Sequence, residues 1–393
     1  MTDVSPSVRI TFAMTIMALS AFAAIAPRSA AAAPSSWLEV DGNIAFDSAS
    51  GASFDWGNSG ATSPTTSCPS ASDVSTSGAG GLFNCGSPDA GSAPPTAPPL
   101  TTAAAADASI RSTAFVADAI SSDDTTCGSG DPTTFVGGQK NGDKISGIGY
   151  TTGSNPSKSD LGNVYAITHV KGNGHPEIFF GAERLVNNGD SHVDFEFLQS
   201  VTTAPTACAG TFAGDRTEGD LLIAVDFTGG GAIPGFTIYE WHCNADPGTQ
   251  PANGTVCDPT GTTPPHYEPI TAPAAVTVQV NSAEIPCGGW VCRDKITGNA
   301  VQVAANDFME GGIDLDALNF TGCINTYVPH TRAAQPFTAS LADFAGPIPL
   351  ATCVNPPVAN AGAGASTSSV AWGLGLLAAG LTLLGGMRRR RRR

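Results

Sequence analysis

Residues 192–198 read His-Val-Asp-Phe-Glu-Phe-Leu. In an extended strand side chains alternate, so His192, Asp194 and Glu196 share one face, and Val193, Phe195 and Phe197 the other. Residues two apart on a strand sit roughly 6.6 Å apart along it. A carboxylate pair at that spacing can reach the roughly 5–5.5 Å separation of retaining glycosidases. Glu183 and Arg184, just before the preceding turn, are candidates for the same face. A solvent-facing strand surface gives the same pattern with no function attached, and that ordinary reading carries more weight. No catalytic residue is therefore assigned, and His192, Asp194 and Glu196 stand only as the alternative, hydrolytic reading.

A second candidate chemistry is calcium. Asn187, Asn188 and Asp190 fall in one turn, and Asp41, Asn43, Asp47 and Asp55 lie near the opening, all oxygen donors of the kind hard cations use. EF-hand spacing is missing, and Asn, Gly and Asp are also what a tight turn requires. The turn reading is preferred, and no cofactor is expected beyond a structural calcium ion. The six histidines (His169, His175, His192, His242, His266 and His330) show no paired-ligand spacing. Gly229 to Gly231 precede Ala-Ile-Pro and make a turn, not a phosphate cradle. Trp37, Trp56, Tyr150, Tyr165, Tyr239, Trp241 and Trp290 would stack on sugar rings if exposed, although strand aromatics are more often core.

Five apolar runs must position these residues: 164–170, 177–183, 192–198, 220–227 and 236–241. Each is short, rich in Val, Ile, Phe and Tyr, and closed by Gly, Asn or Pro, which predicts strands in one antiparallel unit. Residues 37–46 predict an opening strand and hairpin. Residues 58–106, rich in Ser, Thr, Ala, Gly and Pro, read as a long disordered loop. The periodicity of 107–120 does not choose between helix and strand. Strand signals return at 275–280 and 300–304. Residues 308–320 read as a loop with one helical turn, Asp314 being its N-cap. The fold expected is all-β, a jelly-roll-like β-sandwich with long Pro/Gly/Ser-rich loops, plus terminal signal and transmembrane helices.

The chain of 393 residues carries 34 acids and 18 bases, and only 13% of it is charged. Setting aside Asp3, Arg9, Arg28 and the terminal Arg388 to Arg393 leaves 33 acids against 10 bases, a net of −23. So acidic a body repels phosphate backbones, which excludes nucleic acid as a partner. Ten cysteines all lie between Cys68 and Cys353. An even count in an exported chain favours disulfides. Proximity gives Cys68–Cys85, Cys243–Cys257, Cys287–Cys292 and Cys323–Cys353, leaving Cys127 for Cys208; spacing alone fixes no connectivity.

Residues 1–33 read as a signal peptide, with Arg9, an apolar run over 10–26 and small residues at a cleavage site. Residues 34–355 form the extracellular domain and 356–369 a spacer. The uncharged run from Val370 to Met387 is roughly 27 Å long as a helix, enough to cross a bilayer core. The arginines of 388–393 would then stay cytoplasmic.

Spacer, apolar helix and arginine cluster together resemble the C-terminal sorting signals of bacterial surface proteins, which sortase or rhomboid-type proteases read. No LPxTG precedes the helix, so membrane retention is the expectation. The body resembles a family of uncharacterised bacterial surface proteins through FFGAERLVNNGD (179–190), TFAGDRTEGD (211–220), IYEW (238–241), FMEGGIDLDAL (308–318), TRAAQ (331–335) and LADF (341–344). The resemblance implies an exported, envelope-attached β domain and supplies no catalytic residues. The expected function is non-enzymatic display or adhesion toward a surface glycan or protein. The alternative is a carbohydrate-binding or hydrolysing domain. A coat role would also suit a body so acidic.

Overall fold

Val, Ile, Phe and Tyr alternating with other residues suit a pleated surface with at least one dry face. In the computed structural model these runs are strands. It describes residues 37–47, 51–57, 80–84, 98–120, 127–128, 130–229, 232–244, 249–258, 264–271, 274–287, 289–293, 302–353 and 361–362. The short helix α1 (Thr102–Ala106) leads into β1 (Ile110–Ala117), β2 (Asp131–Phe135), β3 (Gly149–Gly153), β4 (Leu161–Val170), β5 (Pro176–Arg184) and β6 (Ser191–Leu198). Next come β7 (Ala209–Thr211), β8 (Leu221–Thr228), β9 (Ala232–His242), β10 (His266–Ile270), β11 (Val276–Val280) and β12 (Ile285–Pro286). The last are β13 (Gln302–Val303), β14 (Phe308–Asp314), β15 (Thr326–Arg332), β16 (Leu341–Phe344), β17 (Ile348–Pro349) and β18 (Ala361–Gly362).

The described chain is all-β in architecture. One sheet runs β11-β14-β5-β4-β1-β18 and a larger one β10-β9-β8-β6-β15-β16-β2-β3-β7, with β17 beside β15. They share one apolar core: Val164, Ala166, Phe180 and Ala182 on one side, Val193, Phe195, Ile223 and Val225 on the other. The Phe180 and Phe195 rings meet at 4.6 Å between centroids. Each such side chain taken from water contributes about 1.5–3 kcal/mol. Close approach needs a glycine at one point, since a Cβ on Gly311 would stand 2.4 Å from Phe180 Cζ and 2.6 Å from the Thr277 carbonyl oxygen.

Both outer faces are covered as well. Phe115, Tyr165 and Phe179 on the smaller sheet are capped by Trp37, Trp56, Phe83 and Trp290. On the larger sheet Leu198 and Val328 pack with Phe135, Ile148, Phe212 and Phe344. Four disulfides staple the described residues: Cys127–Cys208, Cys243–Cys257, Cys287–Cys292 and Cys323–Cys353. These are the pairs that proximity gives. Cys68 and Cys85 lie outside the described residues.

Several expectations need correction. The five runs are strands, but they divide between the sheets: β4 and β5 pair in one, β6, β8 and β9 in the other. The segment 186–190 is thus a crossing and not a hairpin. Residues 37–46 form no regular strand and are held by isolated parallel bridges, Leu38 to Phe54 and Ala45 to Gly57. The long segment 58–106 is partly ordered: Leu82 and Phe83 are buried, and α1 lies within it, capped by Thr101 Oγ1 accepting from the Ala104 N–H. The stretch 107–120 is extended, as β1. Residues 308–314 are a strand, not a loop, and Asp314 Oδ1 then accepts the N–H groups of Asp316 and Ala317 in the turn that follows. No helix among the described residues is long and apolar enough to cross a membrane. The signal peptide, the spacer, the run 370–387 and the arginine tail lie outside the described residues.

Candidate functional site

His192, Asp194 and Glu196 do share one face of β6, and it is a dry one. They are 3%, 0% and 4% exposed, so the expectation of a solvent-facing surface fails. The residues across the ladder explain why. On β15, Arg332 stands opposite His192 and His330 opposite Asp194; on β8, Asp226 stands opposite His192. Arg332 Nε donates to Asp194 Oδ2 at 2.7 Å, and its Nη2 reaches Asp226 Oδ1 at 3.2 Å. His192 Nδ1 lies 2.7 Å from the same Asp226 oxygen. Asn141 Nδ2 donates to Asp194 Oδ2 at 2.7 Å, while its Oδ1 lies 2.7 Å from His330 Nε2.

Glu196 belongs to a second group. Arg216 Nε donates to its Oε1 at 2.6 Å and the Tyr267 hydroxyl at 2.5 Å. Burial pushes Glu196 upward, but the Arg216 and His330 charges outweigh it and hold the carboxyl below its usual range. For Asp226 the opposition is again burial, here beaten by the His192 hydrogen bond and the Arg332 charge. Both carboxylates are thus held as anions by cations already in place. The layer can anchor loops 137–148 and 212–218 onto the sheet. With Asp194 0% and Glu196 4% exposed, it offers no room between them for a sugar.

Glu183 and Arg184 do not join this face. They end β5 in the other sheet, where Glu183 accepts from Asn163 Nδ2, Arg293 N and the Tyr165 hydroxyl. Arg184 donates to the Asn306 carbonyl at 2.9 Å and lies 4.4 Å over the Phe227 ring. The turn 187–190 is a turn: Asn187 Nδ2 donates to the Ala305 carbonyl and Asp190 Oδ1 accepts from Gly229 N, while Gly189 takes φ +112°. Asn188 stays with that turn.

The opening acids separate. Asp41 and Asp47 bring a carboxylate oxygen each within 4.8 Å of one from Glu39. Asn43 is occupied locally, its N–H donating to Asp41 Oδ1 and its Oδ1 accepting from Ala45 N. Asp55 is wholly buried and faces Glu310, whose Oε1 accepts the N–H groups of Asp41 and Gly42 and whose Oε2 accepts from Trp56 Nε1. Burial, then the Asp41 charge, pushes Glu310 to about 8. Burial and Glu310 together push Asp55 well above the usual carboxylate range.

A half-open cleft of about 140 Å³ lies beside the Glu196 group, lined by Lys144, Asp215, Arg216, Trp241, Pro264 and Pro265 among others. The Trp241 indole N–H has no hydrogen-bond partner among the described residues. Of the aromatic candidates, Trp37, Trp56, Tyr150, Tyr165, Trp241 and Trp290 are all buried and Tyr239 is half-buried; Trp241, 5% exposed, is the one that lines this cleft.

Arg216 and Arg332 entered the sequence reading only within the patches of resemblance, and neither they nor Asp226 and Asn141 were given a site role. One signal was available for the arginines: residues 34–369 contain only five, at 111, 184, 216, 293 and 332. In so acidic a body each scarce guanidinium is a candidate partner for a buried acid. Comparison with known protein families, characterised proteins and solved structures finds no match to this chain.

Proposed function

We propose that the chain is an exported, envelope-attached protein whose jelly-roll-like, disulfide-stapled β body displays a non-enzymatic binding surface. One observation carries the reading. Asp190, Asp215, Glu240, Asp314 and Asp316 of the patches that resemble bacterial surface proteins are partly or fully exposed, but the other eight ionisable side chains there (Glu183, Arg184, Arg216, Glu218, Asp220, Glu310, Arg332 and Asp343) are buried. They hold neighbouring strands and loops, so the shared motifs are motifs of fold, and binding falls to exposed loops around them. The four cystines favour an oxidising compartment. The resemblance of the tail to sorting signals supplies the anchor, the apolar run from Val370 to Met387.

Fractionation of expressing cells tests this. The intact chain is expected with the membrane, its cysteines unreactive toward thiol reagents before reduction. An intact chain in the cytosol with reactive thiols defeats the reading. A glycan and matrix-protein array probed with the full chain then identifies the ligand class.

A second reading, carbohydrate binding, is favoured by the cleft at Trp241. Its walls combine the narrow exposed part of Trp241 with Lys144, Asp215 and Arg216, polar groups suited to a sugar's hydroxyls. Glycan signals lost on Lys144→Ala with Asp215→Ala would support it, since both side chains are about half exposed and outside the core. Hydrolysis by Asp194 and Glu196 is disfavoured by their burial and ion pairing.

A further inference from the structure

Where the two sheets meet, four acidic side chains converge. Asp118 follows β1 and Asp160 precedes β4 in the smaller sheet, while Asp131 opens β2 and Asp343 lies on β16 in the larger. All four are 5% exposed or less. Asp118, Asp131 and Asp343 each place one carboxylate oxygen within 4.8 Å of the other two. The charges acting on Asp343 are those of Asp118, Asp131 and Asp160, and on Asp118 those of Asp131 and Asp160.

Neutral donors only partly satisfy this group. Leu161 N donates to Asp343 Oδ2 at 2.7 Å. Asn155 Nδ2 lies 2.8 Å from Asp131 Oδ2 and 3.1 Å from Asp343 Oδ1. Thr133 N donates to Asp131 Oδ1 at 2.8 Å, and its hydroxyl lies between Asp131 Oδ1 and Asp118 Oδ1. Asp118 Oδ2, in a side chain from a residue only 2% exposed, has no hydrogen-bond partner among the described residues. Burying several carboxylates together with an oxygen unmatched is strongly unfavourable unless protons or a cation offset the charge.

The geometry has room for the second remedy. Oxygens on opposite sides of a calcium ion stand about 4.6–5.2 Å apart, twice the usual Ca–O distance. The spacing of the three carboxylates fits inside that span. The available donors are carboxylates, the Thr133 hydroxyl and the Asn155 amide, which now presents its Nδ2 to Asp131 and Asp343 and would offer its oxygen to an ion after rotation. An all-oxygen set selects a hard divalent cation over zinc or copper. We propose that Asp118, Asp131 and Asp343, with Asn155 and Thr133, form a structural calcium site that clasps the two sheets at this junction. It requires no particular ligand or anchoring route for the protein.

The test uses the full chain, made through an exporting host so that its cystines form, stripped with EDTA and returned to calcium. Calcium at millimolar concentration is expected to raise Tm by about 5 °C or more, with titration calorimetry reporting the stoichiometry. Asp118→Asn is expected to weaken calcium binding at least tenfold while melting no lower than wild type in EDTA, because it removes one of the crowded charges. If that variant does not accumulate, Asn155→Asp gives the opposite arm: a lower Tm in EDTA and a larger calcium-dependent rise. Asp41→Asn, in the opening cluster, is expected to change neither. Absence of any calcium-dependent shift in the folded wild-type protein overturns the proposal. So does a shift that Asp41→Asn abolishes and Asp118→Asn leaves intact.

Discussion

Arg332 holds its Nε 2.7 Å from Asp194 Oδ2, with both side chains at 1% exposure or less. A pair so dry is hard to break from one side. Arg332→Met leaves a buried, uncompensated carboxylate and is expected to cost about 3–5 kcal/mol, read as a lower urea midpoint. Adding Asp194→Leu to that variant is expected to return much of the loss. A single variant as stable as wild type would mean that water reaches Asp194.

The facing acids Asp55 and Glu310 predict a pH dependence opposite to ordinary acid denaturation. Both are pushed up by burial, Glu310 to about 8. In the unfolded chain they lose their protons near pH 4. Between these values the folded state holds more protons, so stability falls as pH rises. Their contribution is complete below about pH 4 and drains toward pH 8. Urea midpoints recorded in EDTA should therefore decline from pH 5 to pH 8, and Asp55→Asn should flatten the decline. Equal slopes in the two proteins would show that the pair is ionised throughout.

Disulfide removal should scale with the loop each bond closes. Cys127–Cys208 spans 81 residues and Cys287–Cys292 only 5. Chain-entropy reasoning assigns about 4.5 kcal/mol to the first and about 2 kcal/mol to the second. Paired Cys→Ser variants compared by denaturation check the ratio. A larger loss for the short loop would contradict it.

Gly311 is required by the space around it. Gly311→Ala drives a methyl group into Phe180 and the Thr277 carbonyl and is expected to cost about 1–3 kcal/mol. Gly142→Ala, with nothing within 4 Å of the added atom, should change stability by about 0.5 kcal/mol or less. Thermal melts of the two side by side decide the matter.

The strands of the centre were legible because apolar alternation is a local signal. Runs 164–170 and 192–198 fall inside β4 and β6. Their division between two sheets was not legible, since VNNGD serves a hairpin and a crossing equally well. β15 escaped notice because Pro329 interrupts it, though it lies between β6 and β16. The alternation that put His192, Asp194 and Glu196 together was right, but exposure depends on what lies above a face. Here that is a loop carrying Asn141 and an arginine at 216, both distant in sequence. The junction acids Asp118, Asp131 and Asp343 left no metal-ligand spacing, because β16 must come back from more than 200 residues away to meet the end of β1 and the start of β2.

The earliest described segment depends on some of the latest. Glu310 bonds to the backbone of Asp41 and Gly42 and to the Trp56 ring, across separations of 269, 268 and 254 residues. During synthesis Trp56 emerges early and waits through most of translation for its acceptor. Contacts of such long range make for slow closure, so the Trp56 ring N–H and the amides of Asp41 and Gly42 lack their Glu310 acceptor in the nascent protein until β14 arrives. A holding factor, or passage through a membrane in an unfolded state, would suit that waiting period.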